Sequence, residues 1–332
     1  MTSSSPWPIA ARIRSKSGPS SGSIPFNMAV FRCVRVAAWC HTRAWQLYVV
    51  SPNEAEDRAT LSRPLEGEIS VRKPANYAEI TARVEAAAAA SGLRLRRYPI
   101  DGLGLDLLRV DIAAATPVAA RLAVFAGTHG DEPAPVVTVL EFLEQRLWTR
   151  SPSVAFSIFP CLNPTGYDLG TRENKDGIDL NRQFARDEVP EVRTLRAAVA
   201  DDSFDTFVDA HEDPEEVGFY TYAFFNDNSW PRLIVEAVAE QGPIISTPEA
   251  DEHPVEGGVV GHGDEETRDE RFREYMADGE WPLPFYLYDL GIRDFMTTET
   301  PGMIELATRV AMQHAARDRL VDLLTASRSV DA

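Results

Sequence analysis

The chain has 332 residues, enough for one large domain or two small ones, and a hydrophobic content of 44% that is normal for a globular protein. Its net charge of −18 disfavours nucleic acid and anionic membrane surfaces as partners. No stretch reaches the ~18 apolar residues that a membrane-spanning helix requires, and the three cysteines form no even disulfide framework. These features predict a well-hydrated globular protein with reduced cysteines, no nucleic-acid partner and no membrane span.

Residues 1–50 differ from the rest of the chain in composition. They contain no Asp or Glu but six basic residues, and Ser, Pro and Gly dominate the first 25 positions. An acid-poor leader of this kind is typical of a transit peptide or of a translated upstream extension. Because no charged, apolar and small-residue regions follow one another in secretory order, we expect a cytoplasmic protein. We interpret residues 1–74 as a poorly ordered basic extension, 75–327 as one folded domain, and 328–332 as a tail.

From about Ala75 the apolar pattern predicts alternating helices and strands. The predicted helices are Tyr77–Ala90, which ends before Gly92, a helix that begins at Pro133, and Ile304–Leu324. The predicted strands are Leu93–Ile100, Leu107–Ile112, Arg121–Ala126, Val154–Leu162, Phe204–Ala210 and Met296–Thr298. This alternation predicts an α/β fold, with a mixed, mostly parallel central β-sheet flanked by helices on both faces.

A histidine and a glutamate lie where one predicted strand leads into a helix. His129 and Glu132 are three residues apart, and the helix begins at Pro133. Neutral imidazole and ionised carboxylate are preferred ligands of zinc, so the pair could share one metal ion. Glu132 could instead be a first-turn residue that stabilises the helix dipole. Because ligands bind beyond the strand ends of such sheets, we expect His129 to converge with Asn163 and His211, which also follow predicted strands.

Three further polar clusters lie downstream. A long polar loop presents Arg172, Asn181 and Arg182 close together. Because guanidinium groups bind carboxylates bidentately, this loop predicts a site for a carboxylate of the substrate. The other clusters surround His211, which ends a predicted strand, and Glu299, at the end of a short strand.

These motifs together resemble the zinc carboxypeptidase family and its relatives, the succinylglutamate desuccinylases and aspartoacylases. The matching residues occur in the family's order: His129-x-x-Glu132, Asn163-Pro-x-Gly-Tyr167, Gly170-Thr-Arg172, Asp179-x-Asn-Arg182, His211 and Thr298-Glu-Thr-Pro301. The resemblance implies the α/β fold of that family and makes residues 75–327 the catalytic domain.

The resemblance also implies a metal site and a catalytic base. His129, Glu132 and His211 would hold one Zn²⁺ and leave an open coordination position, as catalytic zinc sites do. Glu299 would be the general base and then the acid. Glu305, on or near the following helix, is its rival for that role.

The remaining roles that the resemblance implies concern the substrate. Arg172 would polarise the scissile carbonyl and stabilise the oxyanion. Asn181 and Arg182 would bind the terminal carboxylate of the substrate, and Asp179 would orient His129. The family's substrate-contacting tyrosine has no matching motif here. Its candidates are Tyr275, Tyr286 and Tyr288.

The implied function is zinc-dependent hydrolysis of an amide bond adjacent to a free carboxylate, as in a metallocarboxypeptidase that acts on peptides. One alternative is the deacylation of an N-acyl amino acid, as in the desuccinylase and aspartoacylase branch. Another is a non-catalytic homologue that binds a ligand. Bacterial cell-wall peptides are a further substrate class.

Some polar residues remain open to less specific interpretations. Asp209, Glu212 and Asp213 could support His211 or be solvated. His253 and His262 lie in an acidic, glycine-rich segment, residues 249–271, that is typical of a flexible surface loop. We expect His314, in the last helix, to lie on the surface.

Overall fold

The computed structural model describes residues 71–250, 253–260, 270, 272–274, 276–277 and 279–328. All of them fall within one compact unit, Glu68–Ala332. Cys33, Cys40, Tyr275 and His262 lie outside the described residues, as do residues 1–70 of the predicted extension and 329–332 of the predicted tail. Cys161 is buried and makes no disulfide.

Residues 71–74, assigned above to the extension, contact the domain. The Pro74 carbonyl accepts a hydrogen bond from the Tyr167 hydroxyl at 3.1 Å, and Lys73 Nζ lies 5.1 Å from the centroid of the same ring.

The described residues include ten strands and seven α-helices. The strands are β1 (Arg94–Ile100), β2 (Leu105–Ile112), β3 (Ala120–Ala126), β4 (Val154–Phe159), β5 (Thr206–Asp213), β6 (Tyr220–Phe224), β7 (Glu249–Ala250), β8 (His253–Glu256), β9 (Val259–Val260) and β10 (Asp294–Pro301). The helices are α1 (Tyr77–Ser91), α2 (Pro133–Glu144), α3 (Pro164–Leu169), α4 (Pro190–Val199), α5 (Trp230–Ala239), α6 (Leu283–Asp289) and α7 (Leu306–Arg328), and short 3₁₀ helices cover Leu147–Arg150 and Leu180–Arg182. None of these helices combines the length and the apolarity that crossing a membrane requires.

The strands form one mixed sheet in the order β1-β2-β4-β3-β5-β10-β6-β9-β8-β7. The four central strands, β4, β3, β5 and β10, are parallel to their neighbours in that group. On one side of this group β2 pairs with β4, and on the other side β6 pairs with β10; both pairs are antiparallel. The predicted mixed α/β fold is confirmed, although parallel pairing prevails only in its centre.

Helices cover both faces of the sheet. Alternate residues of each strand point to opposite sides, so each central strand contributes apolar side chains to both faces. In β3, Leu122 and Val124 belong to the core beneath α1, α2, α5 and α7. Ala123 and Phe125 belong to a second core beneath α4 and α6. The Phe125 ring stacks on Phe159 with centroids 4.8 Å apart. The sheet is therefore buried on both faces, which fixes the positions of its strand ends.

Two strands run further than the sequence predicts. β5 continues to Asp213, so His211 lies inside the strand rather than after it, and β10 continues to Pro301 beyond Glu299. Both strands extend because their ends pair with each other in parallel register.

Two other expectations are corrected. The segment expected to be a flexible loop, residues 249–271, contains β7, β8 and β9. Val260 of β9 packs with Tyr220 of β6 in a small buried apolar cluster. His314 is only partly exposed: its side chain is 17% exposed, and its Nε2 atom lies 3.0 Å from Glu141 Oε2 of α2.

Candidate active site

The loop between β3 and α2 delivers two of the predicted metal ligands. Gly127 has a φ of 65°, a conformation that glycine adopts at little cost, and it turns the chain directly after the strand. Glu132 then occupies the N-cap position of α2, with Pro133 in the first turn, but its side chain makes no capping hydrogen bond. The carboxylate of Glu132 is therefore available for another partner.

His129, Glu132 and His211 converge on one point. His129 Nδ1 lies 2.5 Å from Glu132 Oε1, and His211 Nδ1 lies 2.9 Å from Glu132 Oε2. One potential ligand atom from each residue falls within 4.8 Å of the others, and all three side chains are buried. The three residues thus form a group that is compatible with metal binding.

The other ring nitrogen of each histidine faces an aspartate. His129 Nε2 lies 3.2 Å from Asp179 Oδ1, and His211 Nε2 lies 3.1 Å from Asp209 Oδ2. Metal-binding histidines commonly contact a carboxylate through the nitrogen that does not face the metal, which fixes the orientation of the ring. Both imidazoles therefore present Nδ1 to the shared point.

Electrostatics at this point favour positive charge. Although burial opposes ionisation, His211 and His129 lower the pKa of Glu132 to about 2. Burial alone would lower the pKa of His129, but the charge of Glu132 raises it. The carboxylates of Asp209 and Glu132 likewise outweigh burial and raise the pKa of His211 well above its ordinary value. A divalent cation would satisfy the same carboxylates.

Glu299 lies at the same edge of the sheet. In the strand register it is opposite His211 on one side and Tyr220 on the other. It is half-buried, and its charge contributes to the raised pKa of Arg172. Its rival Glu305 is exposed, and the carbonyl of Glu305 accepts a backbone hydrogen bond from the first turn of α7.

The guanidinium of Arg172 faces the buried group. Its Nε donates to Asp179 Oδ2 at 3.0 Å. Its Nη1 lies 3.4 Å from His129 Nδ1 and 3.9 Å from Glu132 Oε1. The side chain of Arg172 is 40% exposed, so one part of the guanidinium is anchored while the rest remains accessible to a ligand.

Asn181 and Arg182 are adjacent but differ in burial. Asn181 is buried, and its Oδ1 accepts a hydrogen bond from the Leu283 N–H at the start of α6 at 2.9 Å. Within the described part of the chain, its amide nitrogen meets no protein acceptor. Arg182 is exposed, and its Nη1 donates to the carbonyl of Asn181 at 2.9 Å. Most of its donors therefore face solvent.

Two of the tyrosine candidates belong to the core. Tyr286 and Tyr288 are each 7% exposed. Arg196 lies over the Tyr286 ring at 4.8 Å, and Arg293 lies over the Tyr288 ring at 3.8 Å. Their rings are therefore engaged in packing.

The structure distinguishes the three acidic neighbours of His211. Asp209 faces the imidazole, as described above. Asp213 accepts a hydrogen bond from the Tyr220 hydroxyl at 2.7 Å. Glu212 points elsewhere, towards α7, where it pairs with Arg309. The alternation of side chains along a strand is the pattern that could have identified Asp209, because it places residues 209 and 211 on the same face.

Comparison with known proteins finds one similar family and several similar folds. Residues 118–238 match the family described as the succinylglutamate desuccinylase/aspartoacylase catalytic domain. A putative metallopeptidase from Shewanella amazonensis SB2B shares 23% identity and a TM-score of 0.61, over 75% of this chain and 94% of that chain. A metallo-carboxypeptidase from Burkholderia cenocepacia shares 17% identity and a TM-score of 0.54, over 74% of this chain and 69% of that one.

The chain therefore resembles the succinylglutamate desuccinylase/aspartoacylase catalytic domain over residues 118–238 and shares its fold with proteins described as metallopeptidases. The structural likenesses show the fold. The sequence match covers His129, Glu132 and His211 and the loop that carries Arg172, Asn181 and Arg182 (the arginine loop), but it ends before Glu299. The murein peptide amidase A of Escherichia coli (strain K12) is 47% identical over 62 residues. That segment is 18% of this chain, and it spans only 24% of the length of the curated relative.

Proposed function

We propose that this zinc carboxypeptidase-like protein hydrolyses an amide bond adjacent to a free carboxylate, and that its substrates are peptides. One observation carries the proposal. His129 and Glu132 meet the distant His211 with ligand atoms within 4.8 Å of one another, and Arg172 contacts the group they form. Two histidines and a glutamate are the donor set of several catalytic zinc sites.

The buried group fits zinc. His129 and His211 would bind through Nδ1, and Glu132 through its carboxylate. The donors are of the types that zinc prefers, and Asp179 and Asp209 already contact the outer ring nitrogens. A bound Zn²⁺ supplies a Lewis acid and lowers the pKa of a coordinated water to about 7.

The surrounding side chains would carry the proton and the developing charge. Glu299 would accept a proton from the attacking water and transfer it to the nitrogen of the leaving amine. Arg172 would donate to the carbonyl oxygen as negative charge develops there. Asn181 and Arg182 would bind the substrate carboxylate with donors that have few protein partners. Hydrolysis would thus occur next to an anchored anionic group.

A second function is favoured by the family match. An N-acyl amino acid deacylase of the desuccinylase and aspartoacylase type would use the same metal group, and its carboxylate-bearing substrate would occupy the same arginine loop. The short segment shared with murein peptide amidase A favours cell-wall peptides among the peptide substrates.

A substrate panel tests these proposals. The zinc-loaded protein is incubated with C-terminally varied dipeptides, the same peptides with amidated C-termini, N-succinylglutamate, N-acetylaspartate and muropeptides, and amine release is measured. Chelator-treated protein is the control. Cleavage of peptides that depends on a free C-terminus supports the peptidase. Cleavage of N-acyl amino acids alone supports the deacylase. Zinc-loaded protein that cleaves none of them contradicts both.

A further inference from the structure

Helix α7 contacts the metal-binding strand through two residues one turn apart. Arg309 pairs with the Glu212 carboxylate of β5. Gln313 donates from Nε2 to the carbonyl of His211 at 2.9 Å. Residues four apart lie on the same face of a helix. The two side chains therefore hold consecutive residues of β5, one of which is a proposed metal ligand.

The Glu212 carboxylate links α2 to β5. Its Oε1 accepts a hydrogen bond from the Ala134 N–H in the first turn of α2 at 2.6 Å. In return, the Glu212 N–H donates to Glu132 Oε2 at 3.1 Å. Glu212 thus caps the helix that Glu132 leaves uncapped, so that the Glu132 carboxylate can face the two imidazoles. Arg309 connects the same carboxylate to α7.

The amide of Gln313 extends the same connection to β10. Its Oε1 accepts a hydrogen bond from the Thr298 hydroxyl at 2.7 Å, and its Nε2 lies 3.4 Å from Thr300 Oγ1. Thr298 and Thr300 flank Glu299, and side chains of a strand alternate between faces. One fully buried amide therefore holds the strand of the proposed base and the strand of a proposed metal ligand in a fixed register.

We propose that Arg309 and Gln313 are positioning residues: from α7 they fix the Glu132 carboxylate, His211 and the strand of Glu299 in the geometry that binds zinc and hydrolyses the amide. This inference rests on the proposed function. Neither residue contacts substrate or metal in this scheme, and each acts through the strand residues that it holds. A purely structural contribution of the same side chains would change the stability of the domain but not the metal affinity of the folded protein.

The test compares zinc affinity in folded variants. Arg309→Met and Gln313→Met remove the contacts, and Arg309→Lys retains the charge. Arg83→Met breaks an ion pair between α1 and α2 that is remote from the site, and His314→Gln alters the residue next to Gln313; both are controls. Zinc dissociation constants come from chelator competition, the visible spectrum of the Co²⁺-loaded protein reports ligand geometry, and urea unfolding reports stability.

We expect Arg309→Met and Gln313→Met to weaken zinc binding by about 10- to 100-fold, the range typical of residues that support metal ligands. The Co²⁺ spectrum should shift, kcat should fall more than KM rises, and Arg309→Lys should recover most of the affinity. Both controls should bind zinc as the parent does. If folded Arg309→Met and Gln313→Met also match the parent in zinc affinity and Co²⁺ spectrum, the proposal is wrong.

A double variant covers the case in which Arg309→Met does not fold. Glu212→Gln combined with Arg309→Met removes both charged groups of the pair but keeps an acceptor for the Ala134 N–H. If it folds and binds zinc as tightly as the parent, Arg309 has no positioning role. A parent protein that binds no zinc would instead overturn the proposed function itself, so the two failures are distinguishable.

Discussion

Glu299 of β10 lies directly opposite His211 of β5 in the parallel register of the central sheet. Residues that are opposite each other in paired strands project from the same face. The proposed base and a proposed metal ligand are therefore held side by side by backbone hydrogen bonds, without help from a loop. Such rigidity is what positioned proton transfer needs, because catalysis falls steeply when reacting groups are misplaced.

Replacement of the base should separate catalysis from metal binding. In Glu299→Gln we expect kcat to fall by at least about 10²-fold, the contribution typical of general acid–base catalysis, while zinc affinity stays close to that of the parent. The measurements are steady-state kinetics and chelator competition on the same preparation. Glu305→Gln is the matched control and should keep the parental kcat. If kcat falls in Glu305→Gln but not in Glu299→Gln, Glu305 is the base instead.

The two arginines of the loop should have different kinetic signatures. Arg172 contacts the proposed metal-binding group, so Arg172→Met should lower kcat by about 10²–10³-fold, as the loss of an oxyanion donor does. Arg182 is exposed and donates to the Asn181 carbonyl instead, so Arg182→Met should mainly raise KM for substrates with a free carboxylate. An amidated substrate supplies the comparison, since its KM should not change in Arg182→Met. A uniform loss on both substrates would contradict carboxylate binding by Arg182.

How much of the site the sequence reveals depends on how local each contact is. His129 and Glu132 are separated by three residues, so a strand–loop–helix pattern is enough to bring them together. His211 and Glu299 are predictable because neighbouring parallel strands end at one edge of a sheet. Arg309 and Gln313 are not, because they contact residues 97 and 102 positions away and a helix pattern does not specify its partners.

The fold, too, is predictable from the sequence only where the contacts are local. Long periodic segments, such as α1 and the hairpin of β1 and β2, are predictable because apolar periodicity and glycine turns are local properties. Strands β7 and β9 have two residues each, too few to show alternation. Strand β9 forms because Val259 pairs with Thr221 of β6, and β7 forms because Ala250 pairs with His253 of β8. No local pattern encodes the pairing of β9 with β6.

Asp209 should support the proposed metal site through His211. It is fully buried and lies 3.1 Å from His211 Nε2, so Asp209→Asn keeps the shape of the side chain but removes its charge. We expect zinc affinity to fall about 10- to 100-fold, as measured by chelator competition. Asp213→Asn, two residues along the same strand, is the control and should leave zinc affinity unchanged. Equal affinity in Asp209→Asn and the parent would show that Asp209 acts only in folding.

The stability of the domain should depend on the protonation of His314. Burial lowers the pKa of this histidine, although a hydrogen bond with Glu141 opposes the change. A folded-state pKa below the ordinary value of 6.5 means that the unfolded chain binds more protons, so stability falls as the pH drops below about 6.5. Urea unfolding of the parent and of His314→Gln at pH 5 and pH 7.5 measures this contribution. The parent should lose more stability than the variant on acidification, and equal losses would contradict the assignment.

Gly130 should be needed for the position of the arginine loop. A Cβ atom at this residue would lie 1.9 Å from the carbonyl carbon of Gly166 and 2.2 Å from the Tyr167 nitrogen, and the Gly130 N–H donates to the Thr171 carbonyl at 2.9 Å. Backbone cannot yield as a side chain does, so Gly130→Ala must displace the segment that leads into Arg172.

We expect Gly130→Ala to cost about 1–3 kcal/mol of stability, the usual effect of overpacking, and to lower kcat/KM by about 10²-fold, since a displacement of about 1 Å can have that effect. Urea unfolding and steady-state kinetics measure the two losses. Gly242→Ala is the control, because its Cβ would meet the flexible end of Met312 at 2.8 Å, which can move aside. A Gly130→Ala protein with parental kcat/KM would show that the close approach of these two loops does not position Arg172.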